Sequence, residues 1–86
     1  RMRKKLGVII GKRDAMEGTV YYTENFDYLV LKEEGKFVVE GKPDDKEKLK
    51  ILDFILEDDD SFLLGRYNSE KEVFEAIADF ERSYVK

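Results

Sequence analysis

Tyr28-Leu29-Val30-Leu31-Lys32-Glu33-Glu34-Gly35-Lys36-Phe37-Val38-Val39-Glu40 is the stretch on which the fold turns. Two runs rich in β-branched and aromatic residues flank four polar ones, and Gly35 supplies the positive φ that a tight hairpin loop needs. The stretch reads as two antiparallel strands, Tyr28–Lys32 and Phe37–Glu40, joined through Glu33–Lys36. Upstream, Thr19-Val20-Tyr21-Tyr22-Thr23 is a further β-rich run, and Glu24–Asp27 is the turn that follows it. Earlier still, Lys5–Lys12 places Leu6, Val8 and Ile10 on one face of a first strand and Ile9 with Gly7 and Gly11 on the other. Small residues on that second face imply that another part of the chain passes close by, and Arg13–Gly18 reads as a turn.

Downstream of the hairpin, Gly41, Lys42 and Pro43 end the meander and precede a capping box, Asp44 with Glu47. Leu49, Ile51, Leu52, Phe54, Ile55 and Leu56 then cover over half of a helical circumference, which predicts a buried helix across the sheet. Glu57, Asp58, Asp59 and Asp60 would oppose the dipole at its C-terminus, so the helix is expected to end there in a solvated turn. Ser61–Tyr67 reads as a fifth strand. Ser69 and Glu72 form a second capping box, and Val73, Ile77, Phe80 and Tyr84 mark one stripe of a last, amphipathic helix. The expected fold is α+β: a curved, mostly antiparallel sheet of about five strands with two helices on one face, in the order ββββαβα. A right-handed crossover from the fourth to the fifth strand would make the sheet mixed. Residues 1–86 are expected to form a single domain, with 1–4 as a flexible basic arm.

The chemistry open to the chain is narrow. None of its 86 residues is Cys or His, which excludes disulfides, Cys/His zinc sites, thiolate nucleophiles and every Ser–His or Cys–His arrangement. Carboxylates remain, and Asp53 is the one in an apolar context, yet it falls in the narrow gap of the helix's apolar arc and is expected to face solvent. Asp58, Asp59 and Asp60 could attract a hard cation but lack the glycine and bidentate glutamate of a calcium loop. No phosphate loop is present. No catalytic residue, metal or cofactor is therefore expected, and the chain is read as a non-enzyme.

Charge is segregated. The first thirteen residues hold six bases and no acid, whereas residues 14–86 hold twenty acids against ten bases. Net charge speaks to partners rather than to fold, and the acidic body favours a basic protein partner. The expected docking residues are Asp44, Asp45, Glu47, Glu57, Asp58, Asp59 and Asp60 around the first helix, and Glu70, Glu72, Glu75 and Asp79 on the last. Tyr21 and Tyr22 must point to opposite faces of their strand, and the outward one is a further contact residue. The leading functional expectation is a small acidic, non-catalytic inhibitor or regulator, of the general type of phage anti-defence proteins, antitoxins and immunity proteins, an analogy of type and not of sequence. A second reading is nucleic-acid binding through Arg1, Arg3, Lys4 and Lys5, although no aromatic residues interleave with these bases and the acidic body repels phosphates. A third is a structural, accessory or designed module without intrinsic activity. No apolar run reaches the ~20 residues that span a bilayer, and Leu6–Ile10 is too short for a signal-peptide core, so a cytoplasmic protein is expected. An unpaired first strand or an exposed tyrosine face would support a homodimer.

Overall fold

A computed structural model describes residues 6–43, 56–58 and 61–84 of the chain. Its elements are β1 (Gly11–Asp14), β2 (Thr19–Tyr22), β3 (Phe26–Glu33), β4 (Lys36–Pro43), β5 (Leu56–Asp58), β6 (Ser61–Tyr67) and α1 (Glu70–Tyr84). The strands form one sheet in the order β1-β2-β3-β4-β6-β5, with every neighbouring pair antiparallel. The β3–β4 hairpin forms the centre of this order, as its sequence implies. Glu33 pairs with Lys36, and both turn residues are left-handed, Glu34 at φ 52° and Gly35 at φ 78°. That is the primed turn whose twist matches the flanking strands.

The α+β class and the antiparallel sheet agree with expectation, but two helices in the order ββββαβα do not. One helix, α1, is present among the described residues. The helix expected from Asp44 onward falls on 44–55, outside the described residues, and at its far end Leu56–Asp58 is a strand rather than the last helical turn and a solvated run. This short strand also moves the crossover, which now leads from β4 to β5 rather than to Ser61–Tyr67, so no neighbouring pair is parallel and the sheet is not mixed. It adds one reversal of chain direction, so β5 runs parallel to β4 and β6 returns between them, antiparallel to both. The first strand is displaced too. Ladder pairing with β2 is carried by Gly11–Asp14, with Ile10 N as an added bond from the apolar run before it, and the turn narrows to the residues between Asp14 and Thr19.

The core lies between α1 and one face of the sheet. Tyr21, Phe26, Tyr28, Val30, Val39 and Phe62 from the strands meet Val73, Ile77 and Phe80 from the helix. Aromatic rings set much of the packing: Phe26 meets Phe62 and Phe80 with centroids 5.9 and 5.4 Å away, and Tyr21 meets Phe74 edge-on at 5.1 Å. Such tilted pairs contribute about 0.5–1.5 kcal/mol beyond their buried area. The β4–β6 register shifts between Val39 and Glu40, leaving Leu64 as an extra residue that turns back against the core. On the face away from α1, Val20 pairs with Leu29, and Leu31 with Val38. No helix among the described residues is long and apolar enough to cross a membrane.

The helix begins where its capping box predicts. Ser69 Oγ accepts from Glu72 N at 3.2 Å, and Glu72 Oε1 accepts from Asn68 N at 3.1 Å. The expected stripe holds for Val73, Ile77 and Phe80, all buried, while Tyr84 is half exposed and stacks on Phe80 at 5.2 Å.

Candidate functional site

Among the hydrogen bonds of the described residues, the most connected polar group is Glu81, which is fully buried on the core side of α1. Its Oε1 accepts from the Gly7 backbone N–H at 2.7 Å and from Asn25 Nδ2 at 3.0 Å. Its Oε2 accepts from the Thr23 and Tyr28 hydroxyls, each at 2.6 Å. Thr23 Oγ1 in turn accepts from the backbone N–H groups of Asn25 and Phe26, which shapes the β2–β3 turn. One carboxylate thereby ties together the segment ahead of β1, the β2–β3 turn, β3 and α1. Burial, then the hydrogen bond to Glu81 and the nearness of its carboxylate, push the Tyr28 hydroxyl far above the ordinary tyrosine value. The segment ahead of β1 reaches Glu81 because Gly7 lies against α1. A Cβ there would come within 2.4 Å of the Ala78 Cα, and its φ of +70° is one that glycine adopts without cost. The close passage expected from the small residues of this segment is thus a contact with the helix. Nothing in the spacing of the acids singled Glu81 out, although its position four residues after Ile77 and one after Phe80 places it on the apolar side of the helix.

The outer flank of α1 has a different character. Phe74 and Ala78 are half buried there, between exposed Lys71, Glu75, Asp79 and Arg82. An open depression of about 730 Å³ runs along these six residues. The acids expected on this helix are all placed, and they divide by role. Glu75 and Asp79 face the depression, with Asp79 Oδ1 3.1 Å from Arg82 Nη1. Glu72 serves the helix cap. Glu70 accepts from the Tyr21 hydroxyl at 3.1 Å, and burial, followed by that bond, raises the Tyr21 pKa.

The other expected docking residues do not join this flank within the described structure. Glu57 and Asp58 belong to β5, at the opposite end of the sheet order from β1. Asp44, Asp45, Glu47, Asp59 and Asp60 lie outside the described residues, as do Asp53 and the basic residues Arg1, Arg3, Lys4 and Lys5. Of the two tyrosines, Tyr21 is in the core and Tyr22 is half buried with its ring against Gly11. Among the described residues, no three acidic side chains converge as a metal site would require. The chain matches no protein-family model, no curated protein and no solved structure.

Proposed function

We propose that this chain is a small non-catalytic binding protein that docks on a basic surface of a protein partner and inhibits or regulates it. The observation that carries the reading is the outer flank of α1, where half-buried Phe74 and Ala78 sit inside a charged rim along an open depression. An apolar floor with a polar, solvated margin is the anatomy of protein interfaces. The rim itself sets Glu75 and Asp79 against Lys71 and Arg82, and the exposed charges of α1 as a whole are four acids, Glu70, Glu72, Glu75 and Asp79, against those two bases. The whole chain carries a net charge of −4, which attracts a basic partner at long range and speeds encounter. Glu81, the buried carboxylate with several donors among the described residues, supports a non-catalytic role, because its two oxygens are taken up by hydrogen bonds within the fold.

The test is capture of partners from source-cell extract on the immobilised chain, at low and moderate salt, alongside the E75K/D79K variant. The reading expects a basic protein held at low salt, released roughly tenfold more readily at moderate salt, and lost from the variant. Failure to retain any protein at low salt, or equal retention by the variant, would count against it.

A further inference from the structure

Edge strand β1 has the opposite chemistry to α1. It ends the strand order, and among the described residues its pairing partner is β2 alone. Lys12, Arg13 and Asp14 are exposed, and neither cation takes part in an ion pair or side-chain hydrogen bond among the described residues. Immediately upstream, Val8 is 45% and Ile10 54% exposed. The edge is held in strand geometry to its beginning: Ile10 N donates to Tyr22 O at 2.9 Å, and the Tyr22 ring lies so close over Gly11 that a Cβ there would come within 2.5 Å of it. A strand so placed offers a row of outward N–H and C=O groups for pairing.

We propose that the β1 edge is a docking site for an extended acidic peptide of a partner protein, which adds beside β1 as a further strand. Backbone pairing supplies the affinity in this mode, and alternate side chains supply the selectivity. Successive residues point to opposite faces of a sheet, so Lys12 and Arg13 present one cation on each face. Two adjacent acids on the incoming strand meet one cation each, and an apolar residue beyond them meets Ile10. Opposite charges facing each other across strands are favourable, at about 0.2–1 kcal/mol per pair.

The same rule disfavours a second copy of the chain on this edge in two registers: antiparallel self-pairing of β1 centred on Lys12, or between Lys12 and Arg13, sets cation against cation with no opposite-charge pair between β1 residues. Centred on Arg13 it sets Arg13 on Arg13 but Lys12 against Asp14, and the self-association measurement below tests that register. A nucleic-acid strand would satisfy the charges but has no peptide groups to continue the sheet. The site adjoins the α1 flank, since Lys12 pairs with Tyr21 and the Tyr21 ring meets Phe74, but it does not rest on the function proposed for that flank.

The experiment uses the full chain, titrated with a short capped peptide of alternating and adjacent Glu and Val, and followed by backbone amide shifts. Three further ligands accompany it: the same peptide with a central proline, its lysine counterpart, and a short single-stranded oligonucleotide. The acidic peptide is expected to shift the amides of residues 10–14 and to bind at least roughly tenfold more tightly than the proline and lysine peptides. The K12E/R13E variant, exposed at both positions and checked for unchanged folding by circular dichroism, is expected to lose that binding. Equal binding of the proline peptide would overturn the proposal, since charge alone would then suffice. So would shifts confined to α1, displacement of the acidic peptide by the oligonucleotide, or self-association of the peptide-free chain that K12E/R13E abolishes.

Discussion

Glu81 carries more of the tertiary connection than any other polar side chain described in this molecule. Truncation by Glu81→Ala leaves the buried Tyr28 and Thr23 hydroxyls and Asn25 amide, and the part-buried Gly7 N–H, without their acceptor. The expected loss is about 3–5 kcal/mol, read from urea midpoints. Glu81→Gln is milder, about 1–3 kcal/mol, because its carbonyl can still face Gly7 and Asn25 while the Tyr28 hydroxyl turns to accept from the new amide. A cost below ~1 kcal/mol for both variants would show that the node does not hold the fold. Tyr28 gives the same node a pH signature. Its pKa is raised in the folded state, so the stability it contributes is whole below the unfolded tyrosine value of about 10 and is lost as the pH rises above it. Burial raises Tyr21 and Tyr67 in the same direction. Denaturation midpoints should therefore fall between about pH 8 and pH 11, and Tyr28→Phe should be less stable at pH 8 but fall less steeply. An identical alkaline slope in the variant would contradict this assignment.

At the scale of elements, the start of α1 and the β3–β4 hairpin rest on local chemistry and can be tested locally. Ser69→Ala removes the acceptor for Glu72 N and is expected to cost about 1 kcal/mol, seen as a lower melting temperature with no change of fold. These same two elements were legible in the sequence, because a capping box and a glycine at a positive-φ turn position are signals contained within a few residues. The failures share a different cause. Gly11–Asp14 is polar and largely exposed on both faces, so an edge strand of this kind shows no alternation, whereas the apolar Leu6–Ile10 does. Leu56–Asp58 is short and acidic, with poor β propensity, and its pairing with β6 depends on chain reversal rather than on its own residues. Glu81 was hidden by the expectation that glutamate faces solvent. Its signal was positional, a carboxylate within the stripe of Val73, Ile77 and Phe80, and its partners lie more than fifty residues away in sequence.

Across the whole molecule, the segregation of charge acquires a spatial meaning. The basic lead-in continues into a sheet edge through Lys12 and Arg13, while acids dominate the exposed surface of α1. The candidate site was legible in part: Glu75 and Asp79 were readable as solvent-facing acids, but the apolar floor they frame required the helix to be docked, since Phe74 and Ala78 are half buried by neighbours remote in sequence. The central claim is that the outer flank of α1 is the partner surface, and site-specific photo-crosslinking addresses it most directly. A photoreactive amino acid at position 75 places the probe on the flank. One at position 66, whose residue pairs with Val38 on the face away from α1, serves as the comparison. In source-cell extract at low salt, position 75 is predicted to trap one basic protein that position 66 does not, in a yield that falls as salt is raised. Equal trapping of that protein from position 66, or no adduct from position 75, would contradict the account.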